Sequence, residues 1–299
     1  MPDPFDRPAT IPAFALFALL PGLLLLAACL WGGGWIWAAL IWMGGASQIV
    51  DTVIARGFPD PGDAPAPAGT DGLSLVLAAL HFVLLIAGLG ALSGGELGLP
   101  AQIGLVLGLG MFFGQVSNSN AHELIHRGSR GLFRLGAAVY VSLLFGHHTS
   151  AHRLVHHRHV ATPLDPNTAR LGESFWQFFP RAWIGSFRAG LAAEQALSAT
   201  RPGRKNPYLI WLGGAALCCL AVFAVYGGAG LGWYLILCLY AQMQLMLSDY
   251  VQHYGLSRRL REDGAQEVTL PPRTKENPRH GQIAGLALVH HMHFERPAS

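Results

Sequence analysis

Residues 206–248 read NPYLIWLGGAALCCLAVFAVYGGAGLGWYLILCLYAQMQLMLS and contain no Asp, Glu, Lys or Arg. A second uncharged run of the same length, 43 residues, covers 8–50, and shorter runs cover 72–95 and 97–121. Crossing the hydrocarbon core of a bilayer takes about 20 predominantly apolar residues. Each long run is therefore long enough for two membrane helices, and each shorter run for one.

Glycine-rich segments divide both long runs, Trp31-Gly-Gly-Gly-Trp35 in the first and Tyr226-Gly-Gly-Ala-Gly230 in the second. We therefore predict an all-α integral membrane protein, a single domain over 1–299, with six transmembrane helices near 12–30, 35–50, 73–92, 98–117, 207–226 and 229–248. The alternative is six buried helices of a soluble protein. A chain of 299 residues with 12% charged side chains has too little polar surface to cover them. The same composition argues against a disordered chain or a nucleic-acid-binding protein.

The basic residues predict the orientation of these helices. With six spans, the loops at 31–35, 92–97 and 227–230 lie on one side, and none of them contains Lys or Arg. All 20 basic residues then lie on the other side, which the positive-inside rule assigns to the cytoplasm of a bacterial inner membrane, together with both termini. The apolar stretch 135–151 is predicted to lie in or along the membrane, because a crossing there would divide the basic residues between both sides.

Histidines are concentrated in the predicted cytoplasmic regions 118–206 and 249–299, and 8 of the 14 fall within 122–159. His122 and His126 are four residues apart and share one helix face. His152 and His156 repeat this pair, and His157 lies about 100° further round an α-helix, where it could reach a second ion. The remaining candidates are His253, just past the last span, and His290, His291 and His293 near the end. Imidazole is a ligand for iron, zinc, copper and nickel, so the pattern predicts a metal centre rather than a solvated basic surface.

Two metal chemistries are compatible with this pattern. His122-Glu123-Leu-Ile-His126 is the zinc-protease signature, in which Glu123 would be the general base. A zinc protease needs only one further protein ligand, and the excess of histidines favours a binuclear centre. His81, alone within a span, is predicted to be a core histidine. The four cysteines lie in predicted spans without a C-x-x-C pair, so no rubredoxin-type or iron–sulfur centre is expected.

The histidine motifs resemble those of the membrane-bound alkane monooxygenases, within the integral-membrane fatty-acid desaturase and hydroxylase superfamily. The segment from Asn118 to His126 resembles the first histidine box of that family. His152–His157 resembles the second box, and Val160-Ala-Thr-Pro-Leu-Asp-Pro-Asn-Thr-Ala-Arg170 resembles the distinctive segment after that box. Tyr250-Val-Gln-His-Tyr-Gly-Leu256 is similar to a motif that separates alkane monooxygenases from desaturases. The resemblance extends from about Ile11 to Pro297.

The resemblance implies a cytoplasmic helical cap that holds a non-haem di-iron site. Its implied iron ligands are His122, His126, His152, His156, His157, His253, His290 and His293. The last box of the family ends in a third histidine where this chain has Phe294, and His291 is the candidate substitute. Carboxylates that could orient the ligand rings are Glu123, Asp165 and Asp249. For Asp165 a turn role, and for Asp249 a surface charge at a helix end, are the alternatives.

The implied activity is hydroxylation of the terminal methyl of an alkane or similar apolar chain, with O2 as co-substrate and substrate entering from the lipid bilayer. Because the chain has no flavin-type glycine fingerprint and no usable cysteine set, the electrons must come from another protein, and the resemblance implies rubredoxin with its reductase. A basic docking surface, or alternatively contact with lipid headgroups, is predicted for Arg153, Arg158, Arg181, Arg188, Arg201, Arg204 and Lys205. A fatty-acyl desaturase or hydroxylase of the same superfamily, a membrane zinc protease and a metal transporter or sensor are the other candidate functions.

Overall fold

The computed structural model describes residues 11–46, 70–260 and 266–269. The amino-terminal helices are α1 (Ile11–Trp31), α2 (Gly34–Ile41), π1 (Trp42–Ala46), α3 (Thr70–Ser93), α4 (Leu99–Met111), π2 (Phe112–Ser117) and α5 (Asn118–His126). The remaining elements are α6 (Arg130–Ser142), α7 (His148–Ala151), π3 (His152–His156), α8 (His157–His159), α9 (Phe175–Thr200), α10 (Tyr208–His253), β1 (Ser257–Leu260) and β2 (Gln266–Thr269).

Three helical stretches are long and apolar enough to cross a membrane: Thr70–Ser93, Leu99–His126 and Tyr208–His253. Large apolar side chains lie exposed along them, for example Leu209 and Val225 in α10, as expected for helices in contact with lipid. Together with the shorter apolar helices at 15–31 and 34–45, these stretches indicate a membrane protein. The number of crossings and the cytoplasmic orientation stay predictions.

The break predicted within the last uncharged run coincides with a break in the structure. Helix α10 contains 46 residues, about 69 Å at 1.5 Å per residue, which is much longer than a bilayer core. At Gly227 the backbone leaves the helical region, with φ 68° and ψ −164°. A positive φ of this size is accessible to glycine at little steric cost, so the glycine-rich sequence accounts for the position of the kink.

The described residues form two compact units. The first unit comprises the described residues up to Val139 together with 221–241, and the second comprises 140–220, 242–260 and 266–269. In the first unit, small residues let the helices approach closely, as is common between membrane helices. A Cβ atom added at Gly108 in α4 would lie 2.7 Å from Cδ2 of Leu25 in α1, so a larger residue there would require the Leu25 side chain to move.

In the second unit, the long helix α9 supports the short helix α7, which precedes the second histidine box. A Cβ atom added at Gly190 of α9 would lie 3.1 Å from the Cβ of Ala151. Ser150 donates a hydrogen bond of 2.8 Å to the buried carboxylate of Glu194 and accepts one of 3.1 Å from the Trp211 indole. Arg204 completes this network with an ion pair to Glu194. The residues immediately before His152 are therefore fixed by packing and by hydrogen bonds.

A loop over 160–174, which we call the Asp165 loop, is tied to the end of α10 and to the residues beyond it. The Tyr250 hydroxyl donates to the carbonyl of Glu173 at 2.6 Å, and the Gly255 amide donates to the carbonyl of Ala169 at 2.9 Å. The amide of Arg258, in β1, donates to the carbonyl of Ala161 at 2.7 Å. Strands β1 and β2 form an antiparallel hairpin, so the prediction of an all-α chain is incomplete at this point.

Arg181 of α9 anchors the same loop. Its guanidinium makes a bidentate ion pair with Glu173, at 2.6 and 2.7 Å, and donates to the carbonyls of Pro166 and Thr168. These hydrogen bonds from Arg181 lower the pKa of Glu173 below its ordinary value of 4.5. Because the folded-state pKa is depressed, the stabilisation is present above the unfolded value and is lost as the pH falls through the folded value.

We therefore expect Glu173→Gln to lower the thermal unfolding midpoint of the detergent-solubilised protein at about pH 7 and to have a smaller effect at about pH 3.5. Differential scanning fluorimetry at the two pH values measures this difference. Glu96→Gln, which changes an exposed glutamate, is the matched control and should be neutral at both. An equal effect of Glu173→Gln at both pH values would contradict the assignment to the Arg181 pair.

Candidate metal centre

The first predicted histidine pair lies on α5, in the first unit. Helix α5 continues from π2 and α4, so the helix extends past the predicted limit of 117 as far as His126. The rings of His122 and His126 have their centroids 4.8 Å apart, which confirms that the two share a helix face. Two side-chain amides hold α5 in place: Asn118 donates to the carbonyl of Ala241, and Asn120 to that of Ser74, both at 2.9 Å.

Glu123, between these two histidines, makes its salt bridge with Arg127. The carboxylate of Glu123 lies 2.7 Å from the Arg127 guanidinium, one helical turn further along. Arg127 also contacts Asp71, at 3.6 Å, and the hydroxyl of Thr70, at 3.2 Å. The charge of Glu123 is therefore partly compensated by a cation at the point where α5 ends.

The second histidine box is not a regular α-helix. Residues His152–His156 form the π-helix π3, in which hydrogen bonds run from i to i+5. This geometry brings His152 and His157, five residues apart, onto one face, and their Nε2 atoms lie 2.9 Å apart. On an ideal α-helix, His157 is expected to point away from the His152 and His156 pair. The structure differs because the π-helix contains more residues per turn.

His156 lies between a carboxylate and a further imidazole. Its Nδ1 is 2.8 Å from Oδ2 of Asp165, and its ring centroid is 4.7 Å from that of His253. His253 is the last residue of α10, five residues past the predicted limit of 248, and its Nδ1 is 2.9 Å from the backbone carbonyl oxygen of Asp249. Acceptors at both Nδ1 atoms favour the tautomer with a proton there, so Nε2 of each ring is left as a metal ligand.

Asp165 accepts three hydrogen bonds although only 3% of its surface is exposed. Besides the His156 ring, the Thr168 hydroxyl donates to Oδ2 at 2.7 Å and the Asn167 amide donates to Oδ1 at 3.1 Å. Burial by itself raises the pKa of Asp165, but the interactions with His156, Thr168 and Asn167 lower it by more than burial raises it. The pKa of Asp165 therefore lies below its ordinary value of 3.8. Conversely, burial lowers the pKa of His156, but the Asp165 carboxylate more than offsets this and raises it above 6.5.

Asn167 connects the two buried aspartates. Its side-chain amide donates to Oδ2 of Asp249 at 2.7 Å, while its backbone amide donates to Asp165. One residue of the Asp165 loop thus fixes the carboxylates beside two of the predicted ligands. The sequence alone does not single out Asn167 or Thr168. Their only signal is their place in the segment 160–170 that resembles the family motif.

The structure also places the other residues predicted from the sequence. His81 is fully buried and packs against Phe82 and Phe113 in the first unit, as predicted for a core histidine. Of the seven basic residues, Arg181 and Arg204 are engaged in ion pairs within the second unit. The other five are exposed: Arg153, Arg158, Arg188, Arg201 and Lys205. His290, His291, His293 and Phe294 lie outside the described residues.

The donor set of the second unit fits a transition-metal ion. His152, His156 and His253 are buried, and one ring nitrogen of His156, one of His253 and a carboxylate oxygen of Asp249 lie within 4.8 Å of one another. Buried imidazoles with hydrogen-bonded Nδ1 atoms suit iron or zinc better than magnesium or calcium, which prefer oxygen ligands. Fold and site together define a helical membrane protein with buried histidine clusters that could hold a metal ion.

Comparison with known proteins agrees with this class. The family model described as fatty acid desaturase matches residues 97–294, about two thirds of the chain. The chain belongs to the fatty acid desaturase family. It is 26% identical to alkane 1-monooxygenase 2 of Alcanivorax borkumensis, over 79% of this chain and 65% of that protein.

Two further relatives give a similar result. Identity is 30% to the alkane 1-monooxygenase of Ectopseudomonas oleovorans, over 81% of this chain and 62% of the relative. It is 28% to the xylene/toluene monooxygenase hydroxylase component XylM of Pseudomonas putida, over 77% of this chain and 63% of the relative. The chain thus spans slightly less than two thirds of the length of these relatives.

Proposed function

We propose that this protein is a membrane-bound alkane 1-monooxygenase, which hydroxylates the terminal methyl of an alkane or similar apolar chain with O2. The observation that carries the proposal is the hydrogen-bonded histidine and aspartate cluster of the second unit, in a chain similar to alkane 1-monooxygenases. Interpreting the segment from His122 to His126 as a protease site leaves this second cluster without a role.

The residues proposed to hold two iron ions are His122, His126, His152, His156, His157, His253, His290 and His293, with His291 as the substitute for the ligand missing at Phe294. A non-haem di-iron centre supplies the oxidising power that attack on an unactivated C–H bond requires and that no side chain provides. Of the implied metals, iron is proposed over zinc because hydroxylation requires redox chemistry.

The chain's own groups position the ligands and exclude water. Asp165 holds the Nδ1 proton of His156, and the Asp249 carbonyl holds that of His253, so neither ring can rotate without losing a hydrogen bond. Burial of His152, His156 and His253 keeps bulk water from the cluster. The exposed apolar faces of the helices give an alkane dissolved in the bilayer a route to the protein without passage through water.

Rubredoxin, with its reductase, is proposed as the electron donor. Arg153, Arg158, Arg188, Arg201 and Lys205 are exposed on the second unit and would attract an acidic donor protein. The proposal places this face and both termini in the cytoplasm, with six spans in a bacterial inner membrane.

The test is reconstitution of the purified protein in lipid with ferrous iron, rubredoxin, rubredoxin reductase and NADH. With ¹⁸O2 and a medium-chain n-alkane, we expect a primary alcohol that carries one ¹⁸O atom, and no product without rubredoxin. An acyl-chain alkene would instead identify a desaturase, and peptide cleavage with bound zinc and no O2 consumption would identify a protease. Toluene and xylene, included as substrates, test whether aromatic methyl groups are accepted.

A further inference from the structure

Three buried groups of the second unit converge where α10 ends. His156, Asp249 and His253 each offer one ligand atom, and these atoms lie within 4.8 Å of one another. The exposed fractions of the three residues are 7%, 5% and 4%. The sequence alone suggests Asp249 only as a carboxylate that orients a neighbouring ring, or as a surface charge. The structure excludes the surface position.

The contacts of Asp249 do not fit a role in orienting a ring. His253 binds the backbone carbonyl of Asp249, not its carboxylate, and the Nδ1 acceptor of His156 is Asp165. The Asp249 carboxylate instead accepts a hydrogen bond from the Asn167 amide, at Oδ2. A carboxylate has about four lone-pair sites on its two oxygens, so this bond leaves ample capacity for a metal ion.

The charge balance of the cluster points the same way. Asp165 and Asp249 are both buried and are joined through Asn167. Asp165 accepts hydrogen bonds from His156, Thr168 and Asn167, whereas the Asp249 carboxylate accepts one from Asn167, and a buried carboxylate is costly unless a cation is close. A divalent cation bound by Nε2 of His156 and of His253 would lie next to the Asp249 carboxylate and would supply that charge.

From this geometry we infer that Asp249 is itself a metal ligand, so that His156, His253 and Asp249 form a mixed imidazole–carboxylate site. The inference rests on the proposed function only for the identity of the metal. It also gives the chain an additional ligand, where Phe294 occupies the position of a histidine in the last box of the family.

The test compares Asp249→Asn with the wild-type protein, both loaded with ⁵⁷Fe. The asparagine keeps the shape of the side chain and an oxygen for the Asn167 amide but removes the negative charge. We expect Asp249→Asn to lose about one iron per chain, or to show a changed Mössbauer quadrupole doublet for one iron of the pair. A residue that only orients a ligand typically costs 10- to 100-fold in metal affinity, and we expect a larger loss here. Wild-type iron content with unchanged doublets would overturn the inference.

Two further variants make the result specific. Asp71→Asn makes the same chemical change at an exposed site in the first unit and should leave metal content and spectrum unchanged. Asp249→Cys, loaded with Co²⁺, should give a thiolate-to-metal charge-transfer band if position 249 touches the metal, and metal binding without that band would overturn the inference. This measurement decides the question if Asp249→Asn does not fold.

The same measurements separate the inference from the proposed function. If the wild-type protein binds zinc or forms no alcohol, the monooxygenase proposal fails, yet loss of metal in Asp249→Asn still supports the ligand. If the wild-type protein hydroxylates alkanes and Asp249→Asn keeps both irons with the same spectrum, the inference fails alone.

Discussion

Replacing His156 by alanine is expected to abolish alkane hydroxylation and to remove at least one metal ion per chain. His156 is buried, faces His253, and is the ring that the Asp165 carboxylate fixes. Its loss removes a proposed ligand and also leaves Asp165 without the Nδ1–H donor of His156. Because loss of an orienting partner alone typically costs 10- to 100-fold in metal affinity or activity, we expect at least about a 100-fold loss of activity.

The measurements for this variant are iron per chain by elemental analysis and alcohol formed per minute. His159→Ala is the matched control, since His159 is half-buried, lies three residues along the same segment and belongs to no predicted ligand set. Its backbone carbonyl, which accepts from Thr162, is retained by alanine. His156→Ala protein with normal iron content and normal turnover would remove His156 from the metal centre.

The membrane character of the fold could be predicted because it depends on composition over long stretches. The uncharged runs coincide with α1, α3, the stretch from α4 to α5, and α10, and the glycine-rich break is found at Gly227. The helix limits were harder to predict: α10 continues to His253 and the helix from α4 continues to His126, so these histidines lie on extensions of apolar helices. Backbone hydrogen bonds of a helix continue where the side chains change from apolar to polar. Hydropathy therefore predicts where the apolar residues end but not where the helix ends.

The histidines of the site and their i, i+4 pairs could be predicted from number and spacing, since the ring centroids of His152 and His156 lie 5.2 Å apart. The placement of His157 could not, because π3 brings its Nε2 to within 2.9 Å of that of His152. A π-helix depends on the packing around the segment, and here Gly190 and Glu194 of α9, which are distant in sequence, contact Ala151 and Ser150 immediately before π3. The bridging role of Asn167 was equally hidden, because it requires a contact with Asp249, 82 positions further along the chain.

Asp165 unites these features, because its carboxylate connects a ligand ring to the loop that carries Asn167. We expect Asp165→Ala to destabilise the fold by several kcal/mol and to abolish metal binding by His156. The substitution leaves three buried donors without an acceptor: the His156 Nδ1–H, the Thr168 hydroxyl and the Asn167 amide. Each unsatisfied buried donor costs about 1–3 kcal/mol, which is a large part of the stability of a typical domain.

The isosteric variant Asp165→Asn separates the effect on the metal from the effect on folding. An amide keeps one oxygen acceptor but presents an NH2 group to one of the three donors, so we expect a folded protein whose metal affinity falls by about 10- to 100-fold. Competition with a chelator measures the affinity, and the thermal unfolding midpoint reports on the fold. Asp71→Asn is again the control at an exposed carboxylate. Wild-type metal affinity in Asp165→Asn would mean that the carboxylate holds the loop without orienting His156, and would leave Thr168 and Asn167 as its only functional partners.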